Sequence, residues 1–277
     1  PDNSYLSYCF EKYELDEIEE HILLDIFDMM RFHNEWIAEY RQLIQALNPK
    51  KNENYFAKLS IIPTYEERLA FLTGDTREER IYILRMVGQW LKQDAAQVCT
   101  SEMLGSLYPL LQSYLGSMPI ELGTIYNEYI SDYKVHKLSN TLPESDSRFF
   151  RGIESDSLPF RYSVINQNIT GSVVMLWIDG LGFEYLSLLI DKLSQNKNGA
   201  IVSCALTQAL LPTETEFNEQ WKQMDVPYEK LNKLDKLAHK GVIDEPDYYT
   251  CIEEQLAFFD KVSDKVNELL KKYQRVI

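Results

Sequence analysis

The run Val173-Val174-Met175-Leu176-Trp177-Ile178 constrains the fold of this chain more than any other stretch. It is continuously apolar, rich in β-branched residues and too short to stand as a helix. Such a run fits a strand buried on both faces of a mainly parallel sheet. Helical patterning follows from Phe183 to Leu193, and Ala200 to Leu206 is a second candidate strand. Thr215 to Met224 is a candidate helix. Pro246 to Tyr273 is a long one, with Tyr249, Ile252, Leu256, Phe259 and Val266 facing inward. Arg275-Val276-Ile277 has the character of a strand just begun. Strand and helix in alternation is the grammar of an α/β domain.

The preceding half has a different period. From Glu11 to Leu47, the residues Leu15, Ile18, Ile22, Ile26, Met29, Ile37 and Ile44 recur at helical spacing between acids, which predicts one long or two consecutive amphipathic helices. A loop is expected around Asn48-Pro49-Lys50-Lys51, then a short helix opened by Pro63 and ending near Gly74. Asp75-Thr76-Arg77-Glu78 has the form of a capping box, with Asp75 as the cap of a helix running to about Lys92. Further helices are expected over Ser101 to Leu115 and Glu121 to Lys137, the latter carrying Tyr126, Tyr129 and Tyr133 as core residues. Ser139 to Ser157, with two Ser-Asp-Ser runs and Pro143, reads as a linker. The expected organisation is an all-α domain over 1–140, a linker over 141–160 and an α/β domain over 161–277.

A chain of 277 residues, 45% hydrophobic and 12% aromatic, has the material for a sizeable core. No uncharged apolar run reaches the roughly 18 residues needed to span a bilayer, and Pro1-Asp2-Asn3-Ser4 is unlike a secretory signal. With no initiator Met, the chain is expected to be a piece of a longer protein. Cys9, Cys99, Cys204 and Cys251 are widely spaced with no C-x-x-C pair, which argues against a zinc ribbon or a disulfide framework and for the cytoplasm. The net charge of −15 opposes non-specific attraction to nucleic acid and to anionic membranes. Bound divalent cations would offset part of it locally.

Three places carry candidate chemistry. Asp179, in Trp177-Ile178-Asp179-Gly180-Leu181-Gly182, stands at the C-terminal end of the expected strand, where open α/β sheets put their ligand crevices. A carboxylate there suits a metal, and Gly180 and Gly182 let the backbone turn beneath a ligand; a turn or helix cap is the plainer alternative. The glycine spacing does not fit a dinucleotide fingerprint. Thr215, in Leu211-Pro212-Thr213-Glu214-Thr215-Glu216-Phe217-Asn218, stands at a strand-to-helix junction, where a hydroxyl can be a nucleophile if a base or cation stabilises its alkoxide. Thr213 or Thr215 as an N-cap is the simpler reading of the segment alone. Asp235 and His239, in Leu234-Asp235-Lys236-Leu237-Ala238-His239-Lys240-Gly241, fall one helical turn apart and offer an oxygen and a nitrogen that zinc accepts, or form an ion pair. His21, His33 and His136 read as ordinary surface or core-edge histidines.

Taken in order, the strand-end acid, the threonine at the next junction and D-x-x-x-H before glycine resemble the alkaline phosphatase superfamily. The wording of the segments around Thr215 and Asp235 is most similar to its PglZ branch, known from BREX phage-defence systems. Thr64-Tyr65-Glu66-Glu67-Arg68, Thr76-Arg77-Glu78-Glu79-Arg80 and Leu107-Tyr108-Pro109-Leu110 resemble the region preceding that domain. The resemblance implies an alkaline-phosphatase-like parallel sheet with flanking helices, incomplete here. It implies a phosphatase or phosphodiesterase, a nuclease included, that uses two divalent metal ions, zinc or else manganese or magnesium. Asp179 and Thr215 would share one metal, with Thr215 the nucleophile, and Asp235 and His239 would hold the other. Partners would be other defence-system proteins, and the substrate a nucleotide, a nucleic acid or a monoester. The family's Asp-His-Gly motif and a later His are absent, so this chain by itself is expected to be nearly inactive. The alternative is a non-catalytic scaffold in a defence complex.

Overall fold

The computed structural model describes residues 4–47, 53–117, 124–141, 158–210, 215–239 and 245–277. The loop expected at 48–51 and most of the expected linker (142–157) lie outside them. The chain divides into two compact units, Pro1–Gln112 with Lys137–Asn140, and Ser113–His136 with Thr141–Ile277.

The first unit is helical among its described residues: α1 Tyr5–Lys12, α2 Ile18–Phe32, α3 Ile37–Leu47, α4 Glu53–Ser60, α5 Tyr65–Leu69, α6 Arg77–Leu91, α7 Ala95–Thr100 and α8 Glu102–Leu107, with parts of α9 Pro109–Leu115 and α10 Thr124–Leu138. The two consecutive helices expected between Glu11 and Leu47 are α2 and α3, and α1 precedes them. Glu39 reaches the N-terminus of α1, its carboxylate accepting from Tyr5 N at 2.7 Å, and Tyr5 and Tyr13 both donate their hydroxyls to the buried Asp25. The cap of α6 is Thr76 rather than Asp75: its side chain accepts from Glu79 N at 3.1 Å. Glu79 is buried and its carboxylate is held by Tyr55 Oη and Thr73 N, which fixes the register of the first turn. His33 stacks on Trp36 and pairs with Glu35 at 3.2 Å, a local arrangement of the kind expected for a surface histidine.

Gly88 marks a close crossing in this unit, for a Cβ placed there would meet Leu138 O at 2.1 Å. Alanine is favoured over glycine in a helix by about 1 kcal/mol, but overpacking against rigid backbone costs about 1–3 kcal/mol or more. Gly88→Ala is therefore expected to lower the chemical-denaturation midpoint, a net destabilisation of about 2 kcal/mol. A stabilised variant would refute the crossing.

The second unit is mixed α/β. Its described residues form a three-stranded parallel sheet, β1 Val173–Ile178 in the middle, β2 Tyr228–Leu231 and β3 Arg275–Val276 on either side. Its further helices are α11 Arg161–Asn168, α12 Leu186–Ser194, α13 Lys233–Ala238 and α14 Glu245–Leu270. The long α14 packs on α12, α13 and β3, burying Tyr249, Ile252, Leu256, Phe259, Val262 and Leu269 at helical spacing, while Val266 is half-buried. Tyr114 and Lys134 anchor the residues of α9 and α10 that belong to this unit: Lys134 Nζ donates to Ser187 Oγ at 3.2 Å, and Ser187 Oγ to Tyr114 O at 2.9 Å. Tyr126, Tyr129 and Tyr133 are half-buried, and the deep positions of α10 are Ile130, Lys134 and Leu138.

Two expectations need correction. Ala200 to Leu206 forms no strand: among the described residues it joins no ladder, and Val202 is largely exposed beside an open apolar cavity of about 780 Å³. β-propensity reports fit to a neighbouring pleated surface, and this segment has none alongside. The second strand is instead the polar Tyr228–Leu231, bonded to β1 through Met175 N→Pro227 O at 2.9 Å. The helix expected over Thr215 to Met224 is two short 3₁₀ turns, Thr215–Asn218 and Gln220–Gln223.

Candidate functional site

At the C-terminal end of β1 the main chain joins three pieces. Asp179 N donates to Leu231 O at 2.8 Å, continuing the β1–β2 ladder one residue beyond β1. Asp179 O then accepts from Asp235 N at 3.2 Å. The first amides of a helix have no partner within it, and Asn232, the cap residue of α13, makes no side-chain cap bond. The carbonyl of Asp179 fills that role, so the strand end and the helix bearing Asp235 and His239 are fastened together.

Gly180 makes the junction possible. Its φ is +73°, and Leu181 N closes the turn on Ile178 O at 3.4 Å. A Cβ at Gly180 would lie 2.7 Å from Asp235 N. At Gly182 a Cβ would meet the carboxylate of the buried Glu184.

The side chains on one face follow from the pleat. Trp177 near the end of β1 and Asp179, which continues its ladder, are two apart and so share a face, and Lys230 is registered opposite Trp177 on β2. Asp179 is only 8% exposed. Its Oδ1 accepts from Trp177 Nε1 at 3.3 Å, and its Oδ2 lies 2.7 Å from Lys230 Nζ. Arg161, at the start of α11, lies over the Trp177 ring at 4.5 Å and donates to Asn218 O at 3.1 Å. Burial pulls the Arg161 pKa below its ordinary value.

Asn218 closes the set. Its side chain accepts from Leu210 N at 2.7 Å and donates to Leu210 O at 3.1 Å, as a neighbouring strand would, and clamps the ends of the segment leading to Thr215. Thr215 opens the 3₁₀ turn that ends at Asn218. Leu211 to Glu214 and the side chain of Thr215 lie outside the described residues, as do Lys240 and Gly241.

Asp235 and His239 meet within one turn, Nε2 to Oδ1 at 3.2 Å, with the imidazole side chain 78% exposed. Asp235 in the first turn of α13 also lies where the helix dipole favours an acid. The donor types suit zinc, but the described residues contain no group of three or more His, Cys, Asp or Glu able to hold a metal. Asp179 already carries an ammonium and an indole N–H. These residues alone therefore do not fit a divalent-metal centre.

Sequence reasoning missed Lys230, Arg161 and Asn218. Trp177 was missed as well, although its two-residue offset from Asp179 was a signal that could have found it. Compared with protein families, with characterised proteins and with solved structures, the chain shows no match.

Proposed function

We propose that this chain contributes the strand-end face of a phosphoryl-transfer hydrolase, a phosphatase or phosphodiesterase of the alkaline phosphatase superfamily and its PglZ branch, working in a bacterial BREX-type phage-defence system. The observation that supports this reading most is the bond from Asp235 N to Asp179 O. It puts the strand-end acid and the Asp235–His239 pair in one neighbourhood at the end of a parallel sheet where such folds bind ligands. The clamp of Asn218 on Leu210, with Arg161 bridging to Trp177, ties the turn of Thr215 to the same end.

In this reading Thr215 loses its hydroxyl proton to solvent and its Oγ1 attacks phosphorus in line. Its P–O bond forms as the bond to the leaving oxygen breaks, the leaving group departs with that electron pair, and water later releases the phosphothreonine. Two divalent cations, zinc or else manganese or magnesium, would be held by Asp179, Thr215, Asp235 and His239 only with further donors from outside the described residues, and would stabilise the Thr215 alkoxide and the charge on the phosphoryl oxygens. The second reading is a scaffold that docks other defence proteins. It is favoured by the charge of Asp179 being met internally by Lys230.

Elemental analysis of the full-length protein separates the two. The enzyme reading expects near-stoichiometric divalent metal that Asp235→Ala lowers at least about tenfold, since loss of a ligand removes both coordination and geometry. Metal-free full-length protein would leave the scaffold.

A further inference from the structure

In a chain with 43 acids against 28 lysines and arginines, one concave place carries no acid among its described residues. The open cavity of about 780 Å³ beside Val202 lies wholly within the α/β unit, and the charged side chains among the described residues that line it are Arg161 and Arg275. The walls are mainly aliphatic, with Val164 and Ile165 from α11, Leu176 and Ile178 from β1, Leu193 from α12 and Leu270 from α14. A concave site of this size, apolar with a few polar groups, is the usual form of a small-molecule pocket.

The two arginines differ in what they already hold. Arg275 Nη1 donates to Asn168 O and Thr170 Oγ1, both at 3.1 Å, and so satisfies the C-terminal end of α11. Arg161, at the opposite end of that helix, uses one donor on Asn218 O at 3.1 Å and rests over the Trp177 ring at 4.5 Å. Among the described residues no carboxylate pairs with it. Asp179, the acid that Trp177 contacts, has its charge met by Lys230. Arg161 is thus a half-buried guanidinium without a counter-charge, and burial is what pulls its pKa down. An anion in the cavity would supply the missing partner, and the first turn of α11 favours negative charge there as well. A guanidinium takes a carboxylate through two parallel N–H donors. One positive charge between apolar walls suits a monoanion, because a second negative charge would be desolvated without compensation. We infer that this cavity binds an aliphatic carboxylate, with Arg161 holding the head group and the chain lying against the aliphatic walls. The site needs neither a metal nor hydrolysis, so it stands apart from the functional reading above.

The test is calorimetric titration of the full-length protein at neutral pH with octanoate, octan-1-ol and acetate. Wild type is expected to bind octanoate at least about tenfold more tightly than octan-1-ol, the scale of a hydrogen bond to a charged group. Acetate, which lacks the apolar body, should not bind measurably. Arg161→Gln should bring octanoate down to the affinity of octan-1-ol while leaving octan-1-ol as in wild type, which also reports that the cavity is intact. Arg161→Lys keeps the charge and loses the fork, so its preference for octanoate should fall between the two; it decides the matter should the glutamine form fold poorly. Ala205→Trp, which brings a bulky ring in from an exposed position on the wall, should weaken octanoate and octan-1-ol together. Octanoate and octan-1-ol binding equally to wild type would make the cavity an apolar groove without a head-group site and overturn the inference. A preference for octanoate kept in full by Arg161→Gln, or no octanoate binding by wild type, would overturn it as well.

Discussion

Thr215→Ala in the full-length protein is expected to lower turnover of an aryl phosphodiester by roughly 10⁴-fold or more while leaving the unfolding free energy within about 1 kcal/mol of wild type. The first figure is the scale of effect when the attacking atom of a covalent mechanism is removed. The second follows from what holds the turn. Asn218 grips Leu210 at 2.7 and 3.1 Å, and its own carbonyl takes Arg161 at 3.1 Å, so none of these bonds depends on residue 215. A threonine acting only as a cap behaves differently. Its loss costs about 1 kcal/mol of stability and leaves chemistry untouched. Thr215→Ser, which keeps a hydroxyl, should retain most of the rate. Mass spectrometry of acid-quenched wild type should find phosphate on residue 215. Wild-type turnover by the alanine variant would end the assignment.

What could be read from the amino-acid order divides by whether a segment carries its own reason to fold. Val173 to Ile178 does, because its apolar run is unbroken, and the strand forms there with Val173, Val174 and Met175 buried and the last three residues half-buried. The long helix Glu245–Leu270 also does, since its buried positions repeat every three or four residues. Tyr-Glu-Lys-Leu at 228–231 does not. It is a strand because β1 offers a ladder, and an outer strand with alternating exposure needs no apolar run. Ala200 to Leu206 shows the converse, β-branched composition with no neighbour to pair with. At Asp75 and Thr76 two adjacent residues were both fit to cap, and the choice fell to the buried Glu79, whose partners Tyr55 and Thr73 lie outside the helix.

The candidate site divides in the same way. Asp235 and His239 are paired by helical spacing alone. Their nearness to Asp179 is a tertiary fact: β2 lies parallel to β1 and leads directly into α13, so the first turn of that helix arrives beside the strand end. Lys230 was invisible for a related reason. A lysine in a short polar stretch reads as solvated until a register sets it opposite Trp177.

Gly180 concentrates that tertiary fact in one residue, and Gly180→Ala is expected to destabilise the α/β unit by roughly 3–5 kcal/mol. A left-handed backbone costs an alanine about 1–2 kcal/mol, and the φ here is +73°. The new Cβ would also lie 2.7 Å from Asp235 N, 2.8 Å from its Cα and 3.2 Å from Leu234 C. All three are backbone atoms, so no rotamer change relieves the overlap. Relief requires α13 to move away from the strand end, which breaks Asp235 N→Asp179 O and leaves an amide with no partner, a further loss of about 1–3 kcal/mol. Gly182→Ala is the control. Its Cβ would meet the carboxylate end of Glu184, and a flexible side chain can turn aside at a smaller cost. Urea denaturation should therefore rank wild type, Gly182→Ala and Gly180→Ala in falling order, and hydrogen exchange at the Asp235 amide should quicken selectively in the last. If Gly180→Ala keeps both wild-type stability and Asp235 protection, the strand end and α13 are not in contact, and Asp179 and Asp235 would have to serve separate ends. That outcome would undo the shared neighbourhood whether or not Thr215 proves to be a nucleophile, because the demand for glycine comes from packing and is independent of the chemistry.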